Sequence, residues 1–446
     1  MKIVKSYQAE IQGANLQFDE TIRIYRKALK FLVQVAHQEW ESLKELTSKE
    51  RVNLMEKLTH ATKENPKPKY DFDVHFYKFP SYFRRSAIQE ACGIISSYRS
   101  NLQNYEAERH QSISNGKKFK KKVPKLQVKH YKHPIFYKGN MFNKYDGREM
   151  LLKIYKKNDW VWTSVFLKKT DFNYLQKQQG KEQSPSLVKK GRKYYLQFPY
   201  EEKVDLNKTK LNDQTILAID LGVNHSAVCS VIKSDGTVIG RHFINQPIEK
   251  DRMHHLIKRL RFKQKQSSRK AKFPKIWAKI NGYNTQIVND TVHQIGLLIE
   301  QYQIDCLVME YLDFKGSKRN KDTAHKLLMW QYRTTQKKLE SKAHQLGCRY
   351  RRVSARNTSA LAFDGSGYLI REDQNASLCT FKNGRQYNCD LNATYNIAAR
   401  YFIRDYQKTI SAKKWSQLEA KVPLIGRRTQ CTWSTYQALL EALATC

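Results

Sequence analysis

The chain is short of acids. Asp and Glu total 41 against 81 Lys and Arg, a formal net charge of +40 over 446 residues. Such a chain repels itself unless a polyanion is at hand, and nucleic acid is the polyanion whose phosphates release counterions to lysine and arginine. It is also short of breakers: ten prolines and eighteen glycines exclude a collagen-like or low-complexity chain. No apolar run approaches the ~18 residues of a membrane-spanning helix, and the opening MKIVKSYQAE is not a signal peptide. These absences argue against a membrane or secreted protein and lead us to expect a cytoplasmic, nucleoid-associated one with no membrane partner. The eight cysteines form no C-x-x-C pair, and their scatter in a large chain points to reduced thiols rather than a disulfide framework.

What is present is enough to fold. Apolar residues make up 40% and aromatics 12%, which excludes disorder by composition, and the length suggests more than one domain. Lys2 to Ile11 alternates as a strand and Gly13 ends it. Apolar residues then recur at helical spacing from Phe18 to Leu46, and a second helical stretch opens at Pro80 and runs to about Glu108, with a polar region between them. Residues 115–134 hold eight lysines and no acid, interleaved with Phe119, Val123, Leu126 and Val128. This reads as a phosphate-tracking strand, with Lys117, Lys118, Lys120, Lys121, Lys122, Lys125 and Lys129 as expected nucleic-acid contacts. Residues 135–200 read as successive strands that form, with the first, a small β-barrel into which the helices are inserted; 201–214 reads as a linker.

The C-terminal half alternates differently. Strands at Thr215–Ile219, Ala227–Ile232 and Thr237–Ile244, the last two joined by an Asp235-Gly236 turn, precede helices over about 251–303. A strand at Asp305–Leu312, a helix and a strand at Cys348–Ser354 follow. Meander, helix, strand, helix, strand is the order of a ribonuclease H-like sheet, whose first and fourth strands are parallel central neighbours. On these elements three acids stand out. Asp220 ends one apolar strand, Glu310 ends another, and Asp390 opens the helix DLNATYNI. Singly each has an ordinary reading: a turn residue, an ion-pair partner, an N-cap. Together they repel one another and call for cations between them. Oxygen-only donors suit Mg²⁺ or Mn²⁺ and phosphodiester chemistry.

The stretches AIDLGVNHSAV, VMEYLDF and CDLNATYNIAARYF resemble the three RuvC motifs of the TnpB family. These are RNA-guided nucleases encoded by IS200/IS605-type transposons and ancestral to type V CRISPR effectors. The resemblance covers the C-terminal half well; the N-terminal half agrees in architecture and charge. It implies a multidomain α+β chain. A wedge β-barrel (1–14 and 115–205) would carry an inserted helical recognition lobe (15–114). An RNase H-like (RuvC) α/β nuclease domain (206–355 and 389–405) would carry a small insert (356–388), followed by a C-terminal tail (406–446). The resemblance implies guide RNA and double-stranded target DNA as partners, a short target-adjacent motif, an R-loop and one two-metal site cutting DNA. Asp220, Glu310 and Asp390 occupy the matching positions, as catalytic residues and as ligands of two Mg²⁺ ions, with Mn²⁺ as a substitute.

The chain departs from the family in the insert, where many members carry a four-cysteine zinc site. Residues 356–388 hold only Cys379, with Cys389 following. A closed structural zinc site needs four ligands, so no zinc is expected, and turns and aromatic packing must hold the insert. Further cations crowd 251–279, among them Lys258, Arg259, Arg261, Lys263 and Lys265, a helix suited to a phosphate backbone. The helix from Pro80 offers Tyr82, Arg84, Arg85 and Gln89 for a DNA groove. Lys315 to Arg319 reads as a lid beyond Glu310. His225 and His242 are given no role. An RNA-guided DNA-binding repressor that does not cut, an unguided RNase H-like nuclease and a transposase accessory protein remain open, and the sequence sets no oligomeric state.

Overall fold

The computed structural model describes all residues except 14–16, 117, 129–132, 145, 269–271, 313–330, 372–376 and 446. The chain divides into two compact units, Lys2–Lys203 and Val204–Cys446, the second also taking Met1.

In the N-terminal unit, β1 (Lys2–Gln12) pairs antiparallel with β7 (Lys193–Lys203) over Lys2–Glu10, then with β4 (Asp159–Leu167) at Ile11 and Gln12. β3 (Glu149–Lys156) joins β4 to β2 (Phe142–Lys144), and both β5 (Lys181–Glu182) and β6 (Ser186–Lys190) pair with β7. A helix, α4 (Lys169–Gln176), follows β4. β7 extends to Lys203, so the first residues expected in a linker belong to the sheet. Edge strands β2 and β5 share no ladder; residues 134–138 run between the two edges, with isolated bridges from Ile135 to Ser186 of β6 and from Lys138 to Phe142 of β2, and an ion pair of 2.6 Å joins Lys144 to Glu182.

Helices α1 (Gln17–Gln38), α2 (Ser48–Thr59) and α3 (Ser81–Ser114) belong to the same unit. α2 forms within the stretch read from the sequence only as a polar region. Its signal is a capping box, in which Thr47 accepts from the backbone of Glu50 and the Glu50 carboxylate accepts from the backbone of Thr47. Tyr25, Leu29 and Leu32 of α1 share one core with Phe83 and Ile88 of α3 and with Leu152, Leu196 and Phe198 of the sheet. Phe83 packs against Phe136 at 5.0 Å and Trp160 at 5.3 Å. One continuous apolar core therefore serves both the helices and the strands.

The C-terminal unit is built on β8 (Thr215–Asp220), β9 (Ala227–Lys233), β10 (Val238–Ile244), β11 (Cys306–Tyr311) and β12 (Arg349–Ser354), in the order β10-β9-β8-β11-β12. β8, β9 and β10 form an antiparallel meander; β11 runs parallel to both β8 and β12. Helices α5 (Pro247–Gln266), α6 (Pro274–Gln301) and α7 (Tyr332–Gln345) intervene, and a hairpin of β13 (Leu378–Thr380) and β14 (Gln386–Asn388) leads into α8 (Cys389–Thr409). Alternation along β8 sorts the two faces. Leu217 and Ile219 meet Ile295, Leu298 and Leu339 of α6 and α7, whereas Ile216 and Ala218 meet Ile397, Ala398 and Phe402 of α8.

Residues 406–446 are not a tail. α9 (Ala412–Lys421) and α10 (Trp433–Ala444) supply Trp415, Leu418, Trp433, Tyr436 and Leu439 to the core under α8. Tyr436 is fully buried, stacks on Phe402 at 5.0 Å, and its hydroxyl donates to the Ser234 carbonyl. Truncating such an aromatic leaves a cavity that costs ~3–5 kcal/mol. Tyr436→Ala is therefore expected to lower stability by about that much in urea unfolding; an unchanged midpoint would mean that the C-terminal helices are dispensable.

Candidate active site

The in-register pairing of β8 with β11 places the first two acids. Cys306 lies opposite Ile216 and Met309 opposite Ile219, so one step further puts Glu310 beside Asp220 at the carboxyl end of both strands. The two-residue period of a strand directs both carboxylates to the face that α8 covers, with Ile216, Ala218, Cys306 and Val308. The chain turns after Asp220 at Gly222, where a Cβ would stand 2.8 Å from the carbonyl oxygen of His225. A side chain there would push the loop apart.

Asp390 sits in the first turn of α8 but does not cap it. The N-cap is Asn388, whose side chain accepts from the backbone N–H groups of Asp390 and Leu391 at 3.0 Å each. The Asp390 carboxylate is thereby released from the commonest structural duty of an aspartate at that place. Its Oδ2 lies 3.7 Å from His225 Nδ1, close enough for charge attraction and too far for a hydrogen bond. The His225 ring is held edge-on by Phe243, 5.2 Å away.

Glu310 is 9% exposed and accepts from the Thr358 hydroxyl. Among the described residues it forms no ion pair with a lysine or arginine, so its ordinary reading fails too. Thr358 is held from α8: Asn396 donates to the carbonyls of Thr358 and Leu361 at 2.9 Å, and Asn392 donates to Leu361 and accepts from Phe363 N. One turn on, the buried guanidinium of Arg400 donates to the carbonyls of Ser354, Arg356, Thr429 and Cys431. Asn392, Asn396 and Arg400, spaced four apart, thus make a polar stripe along one side of α8. Sequence reasoning assigned no role to His225, Thr358, Asn392, Asn396 or Arg400. The four-residue spacing from Asn392 to Arg400, inside LNATYNIAARYF, was the available signal for the last three.

All three acids are held above the usual carboxylate range. Burial is the main cause for Asp220, reinforced by the charges of Glu310 and Asp390. Burial also raises Glu310, against the Thr358 hydrogen bond and Arg400, and raises Asp390, against His225 and Arg371. Arg400 acts on Glu310 only through space, since its donors are committed to carbonyls. Among the described residues no group of three His, Cys, Asp or Glu side chains encloses an ion-sized point. The acids are close enough to oppose one another's ionisation without converging. Their donor set, three carboxylates with no thiolate, fits a hard divalent cation such as Mg²⁺ or Mn²⁺.

The other expected contacts separate into two groups. Lys118, Lys120, Lys122 and Lys125 are exposed on a segment that forms no ladder, which corrects the expected strand; Lys121 pairs with Glu108, and Phe119 packs on Tyr105 at 5.2 Å. Lys258, Arg259, Arg261 and Lys265 are exposed and Lys263 half-buried on α5, which Leu260 anchors against Ile280 of α6. Arg84 is not a surface cation. It is 5% exposed and held by Glu56 at 3.4 Å and Asp73 at 3.9 Å. Arg85 also pairs with Glu56, Tyr82 packs on Tyr137 at 5.5 Å, and Gln89 is exposed. Lys117, Lys129 and the expected lid at Lys315–Arg319 lie outside the described residues. In the insert, Cys379 and Cys389 are buried with Ala362 and Phe381, and Phe363 packs on Phe381 and Tyr387 at 5.3 Å.

The model of the Aq_aa04 family matches residues 5–156. A protein of Aquifex aeolicus (strain VF5), described as uncharacterized protein aq_aa04, is 32% identical over 118 residues, 24% of this chain and 66% of that relative. Among solved structures, the chain is similar to CasPhi-2 (Cas12j) bound to crRNA and phosphorothioate DNA, with TM-score 0.46, 10% identity and coverage of 90% and 91% of the two chains. It is similar to Cas12f1 in its sgRNA–target DNA complex, with TM-score 0.33, 15% identity and coverage of 89% and 98%. Thermus thermophilus RuvC with a Holliday junction substrate matches 34% of this chain and 71% of its own, with TM-score 0.20 and 9% identity.

A raised carboxyl pKa means that the folded state binds protons more tightly than the unfolded one. The stability each group supplies is present below the ordinary carboxylate range and is lost as pH rises through the raised value. Asp220→Asn is therefore expected to melt higher than the parent protein at pH 7.5 in EDTA. That advantage should vanish near about pH 4, where an unfolded aspartate protonates. Equal melting at pH 7.5 would show that the cluster is not strained.

Proposed function

We propose that this protein is an RNA-guided DNA endonuclease of the TnpB and type V kind, cutting phosphodiesters at a single RuvC-type site. The observation that carries the reading is the placement of Asp220 and Glu310 in register on adjacent parallel strands, under the helix that opens with Asp390, with Asp390 freed from capping by Asn388 and Glu310 in no ion pair among the described residues. Asp220, Glu310 and Asp390 would hold the divalent ions. Bound there, two Mg²⁺ ions supply a more acidic water and neutralise charge developing on the phosphate. The chain's own part is to gather three carboxyl groups, partly desolvated, at one sheet end. Thr358 fixes Glu310, Asn388 relieves Asp390 of capping, and His225 limits where the Asp390 carboxylate can turn. The exposed cations of α5 and of residues 118–125 are suited to backbone phosphates, whose contacts position a strand without reading its sequence. Base pairing to a guide RNA would supply the sequence, as in guided systems generally.

The test is to purify the protein from its native locus, sequence the RNA it retains, and challenge the complex with a plasmid library carrying matching targets. A discrete RNA and Mg²⁺-dependent double-strand cuts beside a fixed motif are expected. Losing several kcal/mol of transition-state stabilisation, at tenfold per 1.36 kcal/mol, makes Asp220→Ala at least ~10³-fold slower, with target binding retained. A discrete RNA with binding and no cuts would make the protein a guided repressor; absence of any discrete RNA would return it to an unguided nuclease.

A further inference from the structure

Beside the loop that follows Asp220 lies a cavity of about 340 Å³, between that loop and helices α5 and α6. Its size is that of a small-molecule site. Its apolar walls are Val223 from the loop, Met253 and Ile257 from α5, and Val288 from α6. Of the buried polar side chains among them, Ser226 and Thr291 are bonded to Gln246, and Thr335 donates to the Gln331 carbonyl. Asn284 of α6 lines the cavity, is only 7% exposed, and makes no side-chain hydrogen bond to any described residue. Its carboxamide is therefore left to whatever occupies the cavity, since a group so buried is usually satisfied by some partner. The cavity reaches the surface where the exposed Lys258 and Arg261 of α5 line it.

We propose that this cavity receives one unstacked nucleobase of a bound single strand. A base is planar, with two apolar faces for the valine and methionine walls. Its edge presents donor and acceptor side by side, which a carboxamide matches in pairs, most fully on adenine. The phosphate of the same nucleotide then falls to Lys258 and Arg261. An apolar peptide would fill the walls but leave Asn284 unpartnered and bring no phosphate to Lys258. Val223 and Asn224 line the cavity, so the base is read by the same loop that follows Asp220. The assignment rests on the nuclease reading only for the fate of the strand; the binding itself needs no cleavage.

The test uses the full chain, stripped of nucleic acid at high salt, in EDTA and at one fixed salt concentration. Two fluorescent strands of equal length are compared, one of deoxyadenosine and one with the same phosphates but no bases. Asn284→Leu removes the carboxamide, and Val288→Trp fills the cavity. Each variant is expected to bind the deoxyadenosine strand about tenfold more weakly and the baseless strand as well as the parent does. Equal weakening on both strands marks a folding or charge defect and overturns the proposal, as does no weakening on either. AMP at millimolar concentration should not displace the deoxyadenosine strand; displacement would assign the cavity to a free nucleotide instead. If the base dependence holds while the parent protein cuts no target, the cavity stands and the nuclease reading alone falls.

Discussion

The parallel pairing of β8 with β11 is the constraint from which the C-terminal unit follows. A one-residue slip would turn one of the two carboxylates to the opposite face of the sheet, since side-chain direction alternates with each residue. The register is held by unbroken burial on both faces: Leu217 and Ile219 under α6 and α7, Ile216 and Ala218 under α8. It is also pinned at the start of the strands, where Asp305 accepts from the backbone of Thr215 at 2.7 Å and from the Thr209 hydroxyl at 2.6 Å. The acids at the other end are where the core's requirement for apolar contact yields to chemistry.

Around that pair, α8 acts as a polar spine in an apolar setting. Asn392 and Asn396 are fully buried, and their amides are satisfied by the chain entering the insert; Arg400 ties that chain and the C-terminal segment to the same helix. Removing one member would strand buried donors or acceptors, at ~1–3 kcal/mol each. The segment carrying Thr358, the insert, and α9 and α10 are therefore conditions for the geometry at Glu310 rather than additions to it. The aromatic cluster of Phe363, Phe381 and Tyr387 holds the insert where two cysteines are too few for a four-ligand centre.

Much of this was legible beforehand. Unbroken apolar strands, the Asp235-Gly236 turn and acids at strand ends are local signals, and they carried the strand order and the neighbouring placement of Asp220 and Glu310. What escaped depends on distant partners. Arg84 resembles a surface cation until Glu56 and Asp73 close over it. Residues 406–446 carry no motif, yet Trp433 and Tyr436 fit the face that α8 leaves open. The way the sheet's edges are joined, by isolated bridges from Ile135 and Lys138 rather than by a ladder, is not set by alternation alone. α2 was missed for a different reason: the Thr47 and Glu50 capping box was readable, but the polar composition around it outweighed it.

The central claim is that Asp220, Glu310 and Asp390 form one electrostatic unit that a divalent cation relieves. It is tested most directly by calorimetric titration of Mn²⁺ into the full chain near neutral pH, in two buffers of different ionisation enthalpy. Carboxyls held above their usual range must release protons when a cation binds. The account predicts saturable binding, heats that differ between the buffers, and loss of both in Asp220→Asn. Binding with no proton release, or binding unchanged by the substitution, would contradict it.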